Sequence, residues 1–191
     1  MNREYLIALG GNLPSSAGKP EETIVGALQE MAAGPVNIVM VSKLYHSPCF
    51  PAGAGPDYVN AAARVRGDIG PVDFLDYLHE IEGKFGRERV ERWGRRTLDL
   101  DLLGEAGDTV KTVLPDMETY HHWQRLMARD QARLAPKQLI LPHPRLHERA
   151  FALIPLMDIA SHWVHPVLQK SVSEMCGSLP KKMRDEVVPL P

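Results

Sequence analysis

A chain of 191 residues carries 22 Lys+Arg against 24 Asp+Glu, a formal net charge of -2, and 44% hydrophobic residues. That balance fits one domain, 1–191, with a sizeable core, and it excludes the broadly basic surface that a nonspecific nucleic-acid binder needs. Cys49 and Cys176 stand too far apart for a zinc or redox motif, and no apolar run reaches the length of a membrane span, so a cytoplasmic protein with reduced thiols is expected.

Tyr5 to Leu9 is a short apolar run that predicts a strand. Gly10-Gly11-Asn12 reads as a structural turn, because no G-x-G-x-x-G or G-K-[ST] follows to cradle a phosphate. Pro20 suits a first helical turn, Glu21 and Glu22 suit its positive end, and Ile24, Leu28 and Met31 form the stripe that faces a core. Gly34-Pro35 stops that helix, and the β-branched run Val36 to Tyr45 predicts a second strand. Ser47 to Pro51 forms a proline-stiffened turn ahead of the Ala52 to Gly55 loop. In the third strand, Tyr58 to Val65, alternation puts Tyr58 and Asn60 on one face and Val59 and Ala61 on the other. Pro71 opens a second helix, with Phe74, Leu78, Ile81 and Phe85 inward and Gly86 as its stop.

The stretch Arg87 to Asp101 concentrates the charge. Arg87, Arg89, Arg92, Arg95 and Arg96 are answered within it only by Glu88 and Glu91, which calls for an anionic partner or leaves a solvated basic loop. Trp93 is a large aromatic seeking a flat surface to cover. From Thr97 to Leu103 the period is two, so Asp99 and Asp101 share a face, about 6.6 Å apart along the strand. Two hard oxygen ligands beside arginines suit magnesium holding a polyphosphate, while a D-x-D pattern by itself more often marks an edge strand with a solvated charged face.

Pro115 to Pro136 predicts a helical insertion with Met117, Tyr120, Leu126, Met127 and Leu134 as its apolar residues. His121 and His122 diverge by about 100° on a helix and suit a surface or lid. His143 precedes Pro144, a residue that favours a helix start, and anions are welcome at such ends. His143 and His147 lack the glutamate and third ligand of a zinc site. Phe151 to Ile159 and Ser171 to Leu179 predict two further helices, and the Pro189-Leu190-Pro191 tail reads as ordinary fraying surface.

The segments YLIALGGNL, PDYVNAA, RWGRRTLDLD and LPHPRLHERAF, in that order, resemble 6-hydroxymethyl-7,8-dihydropterin pyrophosphokinase. The resemblance runs from about Tyr5 to Val167, broken by an insertion at about 105–137. It implies transfer of pyrophosphate from ATP to the hydroxymethyl group of 6-hydroxymethyl-7,8-dihydropterin with release of AMP. The element order then reads as an α+β, ferredoxin-like βαββαβ core with additional C-terminal helices and a helical insertion. The resemblance implies that Asp99 and Asp101 hold two magnesium ions, and that Arg87 and Arg96 act with them in catalysis. Ser47, Phe50, Tyr58, Asn60, Trp93 and Phe151 are expected to bind the pterin. Glu82, Arg87, Arg89, Arg96, His143 and Arg149 are expected to bind the nucleotide. A monomer that takes these small molecules, with no nucleic acid and no membrane, is expected. Gly11 replaces a common serine, Arg95 a common proline, and Gln138 an arginine found in some members, with Lys137 a candidate substitute. Two other classes fit parts of the chain: another magnesium-dependent nucleotide transferase on this fold, and an RNA-recognition-type module, which lacks its aromatic RNP1 strand here.

Overall fold

The computed structural model describes residues 2–49, 53, 55–86, 96–107, 112–127, 130 and 134–191. Strand β1 (Arg3–Gly11) lies between β4 (Tyr58–Gly67) and β5 (Asp99–Ala106), antiparallel to both. Two short strands, β2 (Val36–Val41) and β3 (Tyr45–Ser47), share the far edge of β4. Helices α1 (Pro20–Ala32) and α2 (Pro71–Lys84) cover one face. Their stripes Ile24, Ala27, Met31 and Phe74, Leu78, Ile81 meet Tyr5, Ile7 and Leu9 of β1 and Leu100 and Leu102 of β5. Phe74 stacks on Tyr5 with ring centroids 4.7 Å apart, and a fully buried side chain of this size contributes roughly 2–3 kcal/mol.

The expected single strand Val36 to Tyr45 is broken, and Ser42 explains the break. Its backbone N–H donates to Ala62 O (2.9 Å) while its own Oγ accepts the Ala62 N–H (2.8 Å), so a side chain replaces a ladder carbonyl. Pairing resumes at Tyr45. The C-terminal tail does not fray: β6 (Val188–Pro189) pairs with β3, and Leu190 N–H donates to Leu44 O at 2.8 Å.

The second face of the sheet is covered by the C-terminal elements. These are α4 (Ala150–Ala160), α5 (Val172–Ser178) and α6 (Lys181–Asp185), with Leu153, Leu156, Val172 and Met175 packed on Leu6, Ala8, Ala62 and Leu103. No helix begins at Pro144: a 3-10 turn at Leu146–Glu148 comes first, and α4 begins at Ala150. Ser171 and Glu174 cap α5 reciprocally, each side chain bonding the other's N–H.

The insertion holds α3 (Met117–Gln124), capped by Asp116 Oδ1, which accepts the Thr119 N–H at 2.8 Å. The expected apolar stripe is not a packed stripe. Met117, Met127 and Leu134 are exposed, and Tyr120 alone is fully buried. Its hydroxyl lies 3.3 Å from His165 Nε2. His165 Nδ1 accepts the N–H groups of Val167 and Leu168, so Nε2 carries the proton and donates to Tyr120.

Candidate active site

The register of the sheet assembles a row of residues across three strands. Gly10 of β1 pairs with Asn60 of β4 on one side and Asp99 of β5 on the other; Ala8 likewise pairs with Ala62 and Asp101. Directly paired residues of antiparallel strands project to the same face, so Asn60, Asp99 and Asp101 stand together on the face that carries α4, with Tyr58 two residues from Asn60. Strands about 4.8 Å apart put Asn60 and Asp99 roughly 10 Å from each other across a floor of glycine.

Gly10 and Gly11 continue the strand instead of turning, and their role is close approach. A Cβ at Gly11 would stand 2.5 Å from the Thr97 carbonyl oxygen, so the start of β5 presses on a position where only glycine fits. Asn12 then acts as a clamp that the sequence reading had placed in a turn. Its N–H donates to Arg96 O (2.9 Å), its Oδ1 accepts the Arg96 N–H (2.9 Å), and its Nδ2 donates to Pro56 O (3.0 Å). The signal for it was an asparagine, donor and acceptor at once, at a strand end beside two glycines.

Each carboxylate has its own guanidinium. Arg96 Nη1 bonds Asp99 Oδ2, and Arg149 Nη1 donates to Asp101 Oδ2 at 2.6 Å; the two aspartate side chains keep 21% and 30% of their exposure. Burial disfavours the Asp101 charge, but the neighbouring cationic groups, Arg149 first among them, together outweigh it, and the carboxyl is held below the usual range. Burial likewise opposes the Arg96 charge, and Asp99 and Asp101 outweigh it, holding its pKa up. His143 is pushed down to about 3, first by burial and then by the Arg149 charge. It is therefore neutral: Nδ1 accepts the Arg145 N–H at 3.2 Å, which leaves the proton on Nε2. Arg149 also lies over the Phe151 ring, 5.5 Å from its centroid, so the ion-paired side and the aromatic side of the face meet at one residue.

On the heterocycle side, Asn60 Nδ2 donates to Ser47 Oγ at 2.8 Å, and both residues are buried. Burial raises the Tyr58 phenol above its ordinary pKa, so it is a neutral ring at any physiological pH. Glu82, expected on the nucleotide side, lies against β5. It is 1% exposed, and its Oε1 accepts the Leu100 N–H at 2.7 Å, covering the outer edge of β5 from within. Phe50, Arg87, Arg89 and Trp93 lie outside the described residues. Among the described residues no three His, Cys, Asp or Glu side chains cluster as a metal cage. An open pair of carboxylates is the donor set magnesium uses when substrate phosphates and water complete its shell, so Asp99 and Asp101 fit that ion.

A polar face with a neutral aromatic ring and an amide on one side, and paired carboxylates and guanidiniums on the other, suits a transferase that brings a flat heterocycle to a phosphorylated donor. Residues 6–161 match the family described as 7,8-dihydro-6-hydroxymethylpterin-pyrophosphokinase (HPPK), and the chain belongs to it. Relatives include a 2-amino-4-hydroxy-6-hydroxymethyldihydropteridine pyrophosphokinase of Synechocystis sp., 34% identical over 172 residues, which are 89% of this chain and 73% of that protein. One of the same name from Haemophilus influenzae is 33% identical over 84% of this chain and 83% of the relative. A solved structure of an HPPK-DHPS in complex with substrates superposes with a TM-score of 0.64 at 14% identity, covering 93% of this chain and 43% of that one, a likeness of fold.

Proposed function

We propose that this protein transfers pyrophosphate from ATP to the hydroxymethyl group of 6-hydroxymethyl-7,8-dihydropterin, releasing AMP, as a step of tetrahydrofolate biosynthesis. Family membership supports the reaction, and the observation that carries it to these residues is the row Asn60, Gly10, Asp99. The pterin would lie between Tyr58 and Phe151 with its polar edge on Asn60 and its hydroxymethyl group toward Asp99. The hydroxyl oxygen attacks the β-phosphorus, the bond from that phosphorus to the α,β-bridging oxygen breaks, and AMP leaves with that oxygen.

Asp99 and Asp101 would hold two magnesium ions. Magnesium supplies positive charge against the phosphate oxygens and lowers the pKa of a hydroxyl bound to it. Arg96 and Arg149, held by the aspartates in the free protein, turn to the phosphates as the carboxylates take other partners, and there they offset charge as the leaving group departs. Neutral His143 donates from Nε2 to a phosphate oxygen without adding to the cationic crowd. Arg87 and Arg89 for the nucleotide, and Phe50 and Trp93 for the pterin, are carried by the resemblance alone, since all four lie outside the described residues. The strand order, β5-β1-β4 with β2 and β3 beyond, supports the ferredoxin-like arrangement, and the protein is proposed to act as a monomer. The test is product analysis with ATP, magnesium and the dihydropterin: AMP is expected, and ADP in its place would replace this reading with ordinary phosphoryl transfer.

A further inference from the structure

We infer that Gly10 is a positioning residue for substrate selection: its missing side chain is what allows the Asn60 amide to lie over β1, between the heterocycle and carboxylate sides of the face. The inference rests on the functional reading above. Gly10 pairs with both Asn60 and Asp99, so any side chain there would rise between them on the same face. A methyl group at this position would stand 3.1 Å from Asn60 Oδ1, the only side-chain atom within 4 Å of it among the described residues. That is tighter than such contacts ordinarily are, so the amide would have to give by a few tenths of an ångström.

Asn60 has little freedom to move. It is 4% exposed, and its Nδ2 is tied to Ser47 Oγ at 2.8 Å, so yielding to a methyl strains or breaks that bond. The backbone, by contrast, asks nothing of glycine here. Among the described residues positive φ occurs at Gly18, Gly53, Gly86 and Gln169, and Gly10 is in ordinary extended strand. Alanine could occupy position 10 without backbone strain. The requirement for glycine therefore comes from the pose of the Asn60 amide and not from the fold. A polar heterocycle edge is read by hydrogen bonds that weaken steeply with angle and distance, so displacing the amide degrades recognition of the pterin and leaves the phosphate side alone.

The experiment compares binding of the dihydropterin, and separately of a nonhydrolysable ATP analogue, to wild type, Gly10→Ala, Asn60→Ala and the double variant. Gly10→Ala is expected to weaken dihydropterin binding about tenfold, the loss of roughly one hydrogen bond. Analogue binding stays at the wild-type value, and the melting temperature falls by no more than the few degrees that straining the single Asn60–Ser47 bond allows. In the Asn60→Ala background the added methyl has nothing to displace, so Gly10→Ala then leaves dihydropterin binding unchanged. Equal losses for both ligands, a drop in melting temperature that persists undiminished in the Asn60→Ala background, or a full loss of dihydropterin binding persisting there each overturn the inference. A Gly10→Ala protein that binds the dihydropterin as well as wild type also overturns it, alone; a wild type that binds no dihydropterin overturns both it and the functional reading.

Discussion

The two faces of β5 are made by one alternating run of residues and have opposite fates. Leu98, Leu100 and Leu102 are 0%, 2% and 4% exposed and seal against α1 and α2, while Asp99 and Asp101 on the reverse remain 21% and 30% exposed. The closed face supplies apolar contact that fixes the strand, and Glu82 satisfies its outer edge through the Leu100 amide. On the open face, α4 and α5 cover Leu6, Ala8 and Ala62 but leave the end that holds Asn60, Gly10 and Asp99 to polar groups. Two carboxylates can be kept near each other because the opposite face, and not their own surroundings, holds the backbone in place.

The largest effect that tests this division belongs to the open face. Asp101→Asn or Asp99→Asn is expected to lower turnover about 10³-fold, roughly 4 kcal/mol, with cooperative unfolding retained. Near-wild-type turnover at saturating magnesium would sink the metal assignment. On the closed face, Leu78→Ala, fully buried, is expected to lower stability by about 3 kcal/mol in urea titrations while turnover per folded molecule holds. Should turnover fall as steeply as stability, the faces are not separable in this way.

A smaller effect distinguishes the C-terminal layer. Burial pushes His165 down to about 4, and a proton on Nδ1 would face two N–H donors. The unfolded chain, with an ordinary histidine pKa near 6.5, binds that proton first. Stability from this group is thus complete above about pH 6.5 and is lost as pH falls toward 4, by at most about 3 kcal/mol. His143 at about 3 acts in the same direction. Melting curves from pH 7.5 to 4 should show His165→Asn with a shallower acid slope than wild type; an identical slope would remove His165 from the account.

Periodicity made the closed face and the D-x-D strand legible, since Leu and Asp alternate without interruption and the helical stripes are regular. Ser42 was hidden because its side chain imitates a backbone carbonyl, which no propensity records. By sequence Glu82 lies near the helix end that leads into Arg87, and only the pairing of β5 reveals an edge amide waiting for it. Gly10 and Gly11 carry a turn's composition, yet their glycine character answers to Asn60 and Thr97 across the sheet, residues 50 and 86 positions further along the chain. The segment around α3 is a related case: its apolar residues follow a helical pattern, yet of these only the ring that reaches His165 is fully buried.

Leu114 and Leu141 exchange both of their backbone hydrogen bonds, N–H to O at 2.8 and 3.2 Å, so the insertion leaves and rejoins the body of the protein at one point. A segment whose ends are already joined can change length cheaply: closing a flexible loop costs only about 0.6 kcal/mol more for each doubling. The segment between these two leucines is thus a port, where a peptide or a second folded unit could be spliced in beyond α3 without disturbing β5 or the Arg149 side of the site. Chains lengthened there should melt within a few degrees of the parent, about what such an entropy term allows, and a larger fall would mean that the length itself carries structure.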